Sequence, residues 1–318
     1  MLIDAWGRQV DYLRISVTER CNFRCLYCMP DKPLSWVPHD EVLRYEELFL
    51  FVRAAIDLGV KKVRITGGEP TVRGNLAAFI KMIAEYAPAV DLAMTTNGFL
   101  MGSLAAELKA AGLKRVNISL DSLRRETAGR IANRDVLSSV IAGIDASIAA
   151  GLLVKLNTVP MIGINDDEIG DLLAFGKERG ALIRFIEYMS NTRANKHLRG
   201  MRSDEILERI SARTLVREVE QTAIGAERLF ELENGYRFGV IAPHREEFCT
   251  TCNRVRLSAQ GLLVPCLYFG EAMSIKASVR SGDVAAAVET LKTVLANKRE
   301  KNRFNEETST RAFYETGG

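Results

Sequence analysis

Along the first 190 residues, apolar positions recur in two periods that take turns. Tyr12–Val17 (YLRISV) is apolar, β-branched and alternating, which predicts a strand. Tyr45–Leu58 carries apolar residues at helical spacing and stops at Gly59. Lys62–Ile65 predicts a short strand running into Thr66, Gly67, Gly68, Glu69 and Pro70. The same reading gives helices at Leu76–Tyr86, Met101–Ala111, Val136–Ala150 and Asp166–Arg179, and strands at Asp91–Thr95, Arg115–Leu120, Leu153–Thr158 and Leu182–Tyr188. About six strands alternating with helices predict an α/β fold with a parallel sheet and helical crossovers. Polar residues and glycines gather just after each strand, in the carboxyl-end loops where such arrays build active sites. The strands alone suit an open barrel and a doubly wound sheet alike.

The pattern changes after Met189, which divides the chain into residues 1–190 and an extension, 191–318. Asn191–Met201 reads as a loop and Ser203–Ser211 as a helix. Arg228–Ile241 reads as strands around an Asn234–Gly235 turn, and Val284–Asn297 as an amphipathic helix. Lys298–Thr310 is so charged and polar that a flexible segment is expected. Apolar content of 47% and charged content of 26% are those of a globular protein, and no run of about twenty apolar residues suggests a membrane span. MLIDAWGRQVDYLR has no signal-peptide core, and six cysteines in two groups of three do not look like a disulfide framework. A reducing cytoplasm is the expectation. A net charge of +3 is compatible with an anionic small substrate, and the absence of a basic stripe interleaved with aromatics argues against nucleic acid.

Cys21, Cys25 and Cys28 stand in C-x3-C-x2-C spacing. Thiolates select zinc, copper(I) or iron–sulfur clusters, and a structural zinc wants four ligands. A 4Fe–4S cluster held by three cysteines keeps one iron open for another ligand. A zinc knuckle with a distant fourth ligand, or plain core cysteines, remain alternatives. Phe23 and Tyr27 lie between the cysteines and can shield a cluster from water, while His39 reads as a solvated loop residue. Cys249, Cys252 and Cys266 form C-x2-C-x13-C, and His244 could complete a Cys3His zinc site, so zinc and iron–sulfur both stay open there. Arg254 and Arg256 alternate in NRVRLS and would face one side of an extended segment, where guanidinium forks grip phosphate.

A cysteine loop after the first strand, followed by TGGEP after the second, resembles the radical S-adenosylmethionine (SAM) enzymes. The stretches LRISVTERCNFRCLYCMP, KVRITGGEPTVR, TTNG, VNISLDSL, IRFIEYM, FCTTCNRVRLSAQG and the final GG closely resemble one family, the GTP 3′,8-cyclases of molybdenum cofactor biosynthesis (the MoaA type). The resemblance implies an incomplete (β/α)6 TIM-like barrel over 1–190 and a C-terminal α+β extension over 191–318 carrying a second cluster. It implies two 4Fe–4S clusters facing each other across the barrel mouth. Cys21, Cys25 and Cys28 would hold the one that binds SAM, and Cys249, Cys252 and Cys266 the one whose free iron meets guanine. Tyr27, Gly68, Ser119 and Met189 match positions that touch SAM, although Met189 alone would also pass for a core filler. Arg14, Arg64, Thr95, Lys155, Arg254 and Arg256 match positions that contact GTP. Arg254 and Arg256, with Gly317 and Gly318 of a tail that enters the pocket, match catalytic positions. The implied reaction cleaves SAM reductively to a 5′-deoxyadenosyl radical, which takes the ribose 3′ hydrogen of GTP and yields (8S)-3′,8-cyclo-7,8-dihydroguanosine 5′-triphosphate. Cyclic pyranopterin monophosphate synthase would act next. A homodimer and an external electron donor of flavodoxin or ferredoxin type are implied too. The tail reads RAFYETGG where relatives carry a methionine and an aliphatic residue before the glycines, and Ala223–Val240 matches loosely. A peptide-modifying radical SAM enzyme and a zinc-binding or electron-transfer module are the other readings.

Overall fold

The computed structural model describes residues 1–29, 36–191, 197–220, 227–245, 247–268, 270–302, 309 and 312–317. Its first half is β1 (Tyr12–Ser16), α1 (Tyr45–Asp57), β2 (Lys62–Thr66), α2 (Leu76–Tyr86), β3 (Asp91–Thr96), α3 (Met101–Ala110), β4 (Arg115–Ser119), α4 (Arg125–Ala132), α5 (Leu137–Ala149), β5 (Leu153–Thr158), α6 (Ile169–Glu178) and β6 (Leu182–Ile186). There follow α7 (Ser203–Ser211), β7 (Val216–Val219), β8 (Glu227–Leu232), β9 (Arg237–Ile241), α8 (Glu247–Thr250), β10 (Arg254–Leu257), β11 (Leu262–Val264), β12 (Met273–Ser274), α9 (Lys276–Ser281), α10 (Val284–Ala296) and α11 (Phe313–Thr316). β1 to β6 pair in sequence, all parallel. The sheet then continues past residue 190 on both flanks: β10 adds parallel to β1, and β9 parallel to β6. Beyond them β11–β12 and β8–β7 run antiparallel, and among the described residues the end strands β12 and β7 do not pair, which leaves an open barrel.

Alternation along each strand sorts side chains to two faces. Leu13 and Ile15, Val63 and Ile65, and Val116 and Ile118 are fully buried in the core that the helices cover. Leu48, Phe51 and Val52 of α1 and Phe79, Ile80 and Ile83 of α2 belong to the same core. Each such side chain contributes about 1.5–3 kcal/mol on burial. The other face of the strands lines the lumen. There the register sets Arg256, Arg14 and Arg64 side by side on β10, β1 and β2.

Three expectations change. The helix expected from Asp166 opens as a 3-10 turn, Asp166–Glu168, before α6. α4 was not foreseen, because RETAGRIA buries only Ala128, Ile131 and Ala132 and shows no apolar stripe of useful length. Lys298, expected in a flexible stretch, is 4% exposed and packs inside the molecule; 303–308 and 310 lie outside the described residues. His39 opens an exposed 3-10 turn, as a solvated histidine should. Among the described residues no helix is long and apolar enough to cross a membrane.

Candidate active site

The first cysteine loop leaves β1 and lies across the end of β2. The Gly68 N–H donates to the Thr18 carbonyl (2.7 Å) and the Glu69 N–H to that of Arg20 (2.8 Å). A Cβ on Gly68 would stand 2.5 Å from the Glu19 carbonyl oxygen and closer still to that of Arg20. The glycine therefore serves the loop's own backbone, a need separate from the SAM contact that the resemblance implies. The unforeseen α4 braces the other side, its Ala132 and Ile131 carbonyls accepting from Arg24 N and Leu26 N at 3.0 Å. Beneath the loop, the buried Glu69 carboxylate accepts from Thr71, Thr96 and the Asn97 N–H, tying the ends of β2 and β3 together.

Within the loop, the Cys28 N–H returns to the Cys25 carbonyl (2.9 Å), which gathers the thiols. Burial pushes Cys21 up to about 11 and Cys28 up to about 12, and Cys25 well above the ordinary thiol value. Their mutual proximity adds to burial. Three thiols that repel one another's charge are a donor set that a metal centre satisfies by displacing the protons. The Phe23 N–H (3.3 Å) and the Tyr314 backbone donate to Cys21 and Cys28. Phe23 is buried edge-on against Phe99 at 5.8 Å, whereas Tyr27 is half-buried and gives its hydroxyl to Asp121 (2.7 Å).

Cys249 and Cys252 precede β10, and Cys266 follows β11. Because β10 is parallel to β1 and Arg254 pairs with Tyr12, this triplet sits at the amino ends of the strands. The first triplet follows their carboxyl ends. The two sets therefore do not face each other across one mouth; they stand at opposite ends of the lumen, separated along β1 by roughly 13 Å of strand. Burial raises Cys249, with Cys266 and Cys252 adding to it. Burial also works against ionisation of Cys252, but Arg254 and Lys298 overcome it and bring the thiol down to about 5. His244 is oriented by Glu187. Its Nδ1 lies 2.8 Å from Glu187 Oε2, and the other carboxylate oxygen accepts the Ser203 N–H (2.6 Å). Among the described residues no three His, Cys, Asp or Glu side chains converge tightly enough to hold a single ion. Three soft thiols at each end are a donor set that fits a 4Fe–4S cluster with one iron open to another ligand.

A cavity of about 400 Å³ runs between the two triplets and is lined by all six cysteines. Arg14, Arg64, Thr95, Lys155, Arg254 and Arg256 line it, as do Tyr27, Gly68, Ser119 and Met189. Met189 is half-buried on the cavity wall rather than a core filler. Arg64 gives Nη1 to Thr95 (3.1 Å) and Nε to the Tyr12 hydroxyl. Arg256 Nη1 is buried with no hydrogen-bond partner among the described residues, a costly state that an anion would relieve. Lys155 is paired with Glu227, as is Arg184 (2.9 Å). Burial raises the Glu227 carboxyl, but these two cations overcome it and hold it near 2.

Tyr12, Lys62, Arg115 and Arg184 are among the lumen residues that the sequence did not mark. For Tyr12, Lys62 and Arg115 the signal was the alternation itself, since each shares a strand face with Arg14, Arg64 or Ser119; Arg184 is placed only by its pairing opposite Asn157. Burial works to raise the Tyr12 phenol, yet Arg64, Arg14 and Lys62 bring it down to about 7. The tail reaches the same cavity. Phe313 and Tyr314 line it, and Arg14 Nη2 donates to the Gly317 carbonyl (2.8 Å). Gly317 is buried at φ +71, where an added Cβ would stand within 2.5 Å of Thr66 Oγ1. Gly318 lies outside the described residues.

An open parallel barrel with a three-cysteine loop after its first strand has the architecture of the radical SAM class, and residues 15–176 match the Radical SAM superfamily. Residues 181–304 match Molybdenum Cofactor Synthesis C. The chain is 54% identical to the GTP 3′,8-cyclases of Sulfurimonas denitrificans and Campylobacter curvus, and 53% identical to that of Aliarcobacter butzleri, over 100% of both chains in each pair. Among solved structures, Streptococcus suis SuiB bound to S-adenosylmethionine superposes with a TM-score of 0.64 at 16% identity, over 92% of this chain and 67% of that one. HydG, a maturase of the [FeFe]-hydrogenase, superposes with a TM-score of 0.51 at 15% identity, over 65% and 50%. Both share the fold. This chain belongs to the GTP 3′,8-cyclase family of the radical SAM superfamily.

Proposed function

We propose that the protein converts GTP to (8S)-3′,8-cyclo-7,8-dihydroguanosine 5′-triphosphate with SAM, using two 4Fe–4S clusters, as the first step of molybdenum cofactor biosynthesis. The observation that carries this reading is a single cavity with three thiols at each end and a cationic lumen between them. Cys21, Cys25 and Cys28 hold the cluster that binds SAM; Cys249, Cys252 and Cys266 hold the one at the substrate end. When bound, SAM and its cluster supply a carbon radical able to take a hydrogen from an unactivated ribose carbon.

The chain's own residues have to hold GTP so that one hydrogen alone is within reach. A triphosphate carries about four negative charges near neutrality, and Arg14, Arg64, Arg254 and Arg256 with Lys155 answer them by charge-assisted hydrogen bonds. Lys62, Arg115 and Arg184 extend the same field. Thr95 fixes Arg64, and Tyr27, Gly68, Ser119 and Met189 form the SAM side. Phe23 and the tail helix α11 keep water from the carboxyl-end thiols. Residues 1–190 supply the barrel with the SAM cluster and most of the lumen cations, and 191–318 the second cluster, Arg254, Arg256 and the tail, although one sheet runs through both. The protein works as a cytoplasmic homodimer that takes electrons from a flavodoxin- or ferredoxin-type donor and passes its product to cyclic pyranopterin monophosphate synthase. The test is anaerobic turnover of reconstituted protein with GTP, SAM and a strong reductant. The cyclised triphosphate and 5′-deoxyadenosine should form together; protein loaded with both clusters that leaves GTP unchanged would refute the reading.

A further inference from the structure

Lys298 belongs to the most charged stretch of the chain, yet its side chain is buried. A buried ammonium is costly unless its hydrogen bonds are met. All three acceptors of Lys298 Nζ lie at the second cysteine set: Cys252 Sγ at 3.4 Å, the Pro265 carbonyl at 3.2 Å and the Arg254 carbonyl. The segment around it is clamped by the N-terminus. Trp6 Nε1 donates to the Lys298 carbonyl (2.7 Å). The Arg8 guanidinium bridges the carbonyls of Cys249 (2.8 Å), Glu300 (2.7 Å) and Arg299 (2.6 Å), and is itself held by the fully buried Asp4. The Asn302 backbone N–H donates to Cys249. The strap over 298–302 thus donates to two of the three sulfurs. Among the described residues no lysine donates to the carboxyl-end sulfurs: Cys21 takes the Phe23 N–H and the Asn97 side-chain amide, and Cys28 the Tyr314 backbone.

We propose that Lys298 is a positioning residue for the substrate-end cluster, its ammonium hydrogen-bonded to the Cys252 sulfur so that its charge, added to that of Arg254, raises the reduction potential there. This rests on the reading that Cys249, Cys252 and Cys266 carry an iron–sulfur cluster. Hydrogen bonds to a ligating sulfur and local charge are levers on cluster potential. Reduction adds one negative charge, and a fixed cation at hydrogen-bond distance favours that form. The N-terminal clamp keeps the ammonium from swinging out to water.

The test is an anaerobic potentiometric titration followed by electron paramagnetic resonance, with the substrate-end signal assigned by its loss in Cys252→Ala. Lys298→Gln should shift that cluster's midpoint to lower potential and leave the SAM-side cluster unmoved. Lys298→Arg, which keeps the charge, should stay near the parent. An unmoved midpoint in fully loaded Lys298→Gln overturns the proposal, as does an equal shift of both clusters. Should Lys298→Gln fail to hold its cluster, Trp6→Phe decides. It keeps the ammonium but loosens the strap, and it should lower the same midpoint by a smaller amount; no shift there overturns the proposal too. Parent protein with iron at the first site only would overturn both this inference and the reading beneath it.

Discussion

Gly317 occupies a position where a methyl group has no room. It is buried at φ +71, its missing Cβ faces Thr66, and its carbonyl takes Arg14. The left-handed conformation alone costs an alanine roughly 1–2 kcal/mol, before the clash. Gly317→Ala should therefore leave both clusters and SAM binding intact while GTP cyclisation falls at least about tenfold, since 1.4 kcal/mol is a factor of ten. Iron analysis, SAM affinity and product chromatography on the same preparation check it; parent-level cyclisation would show the tail to be a bystander. The six cysteines were legible because spacing alone marks a thiolate site. Arg254 and Arg256 were legible because alternate arginines in an extended segment share a face. Tyr12, Lys62 and Arg115 carry no motif of their own and are marked only by alternation with Arg14, Arg64 and Ser119, and Arg184 is an ordinary strand residue until the register shows that it points inward. His244 shows the opposite case: nearness in sequence to Cys249 suggested a ligand, and Glu187, remote in sequence, is the partner that holds its ring at Nδ1.

Individual elements explain what the loops can do. β10 inserts beside β1, which carries Cys252 to the amino end of the lumen. That pairing joins residues some 240 positions apart, and no local pattern announces it. The alternating core of β1 to β6 was readable because each strand is a short β-branched run between helices ending near a glycine. α4 was hidden because its apolar stripe is only Ala128, Ile131 and Ala132, too short to stand out in RETAGRIA. Gly68 is where an element and the site meet, since the loop's backbone crosses it at a distance no side chain allows. Gly68→Ala should displace the first cysteine loop. Bound iron should fall by roughly half, SAM cleavage should be lost, and the substrate-end cluster should remain. Full iron with weakened SAM affinity would instead mean that the glycine serves SAM alone.

Over the whole molecule, charge is distributed unevenly. The net charge is only +3, yet the lumen collects Arg14, Lys62, Arg64, Arg115, Lys155, Arg184, Arg254 and Arg256 against few carboxylates. Like charges gathered in a confined space destabilise an empty site, so the fold stores a field for an anion. Strand geometry also explains why two thiolate sets can serve one substrate. They stand at the two ends of one lumen, and a nucleoside triphosphate is long enough to be gripped along it. The central claim is that this lumen presents the ribose 3′ hydrogen, and no other, to the SAM end. The direct measurement is single-turnover reaction of the reconstituted protein with GTP deuterated at the ribose 3′ carbon. Deuterium should appear in 5′-deoxyadenosine in step with the cyclised product; unlabelled 5′-deoxyadenosine formed alongside that product would contradict the account.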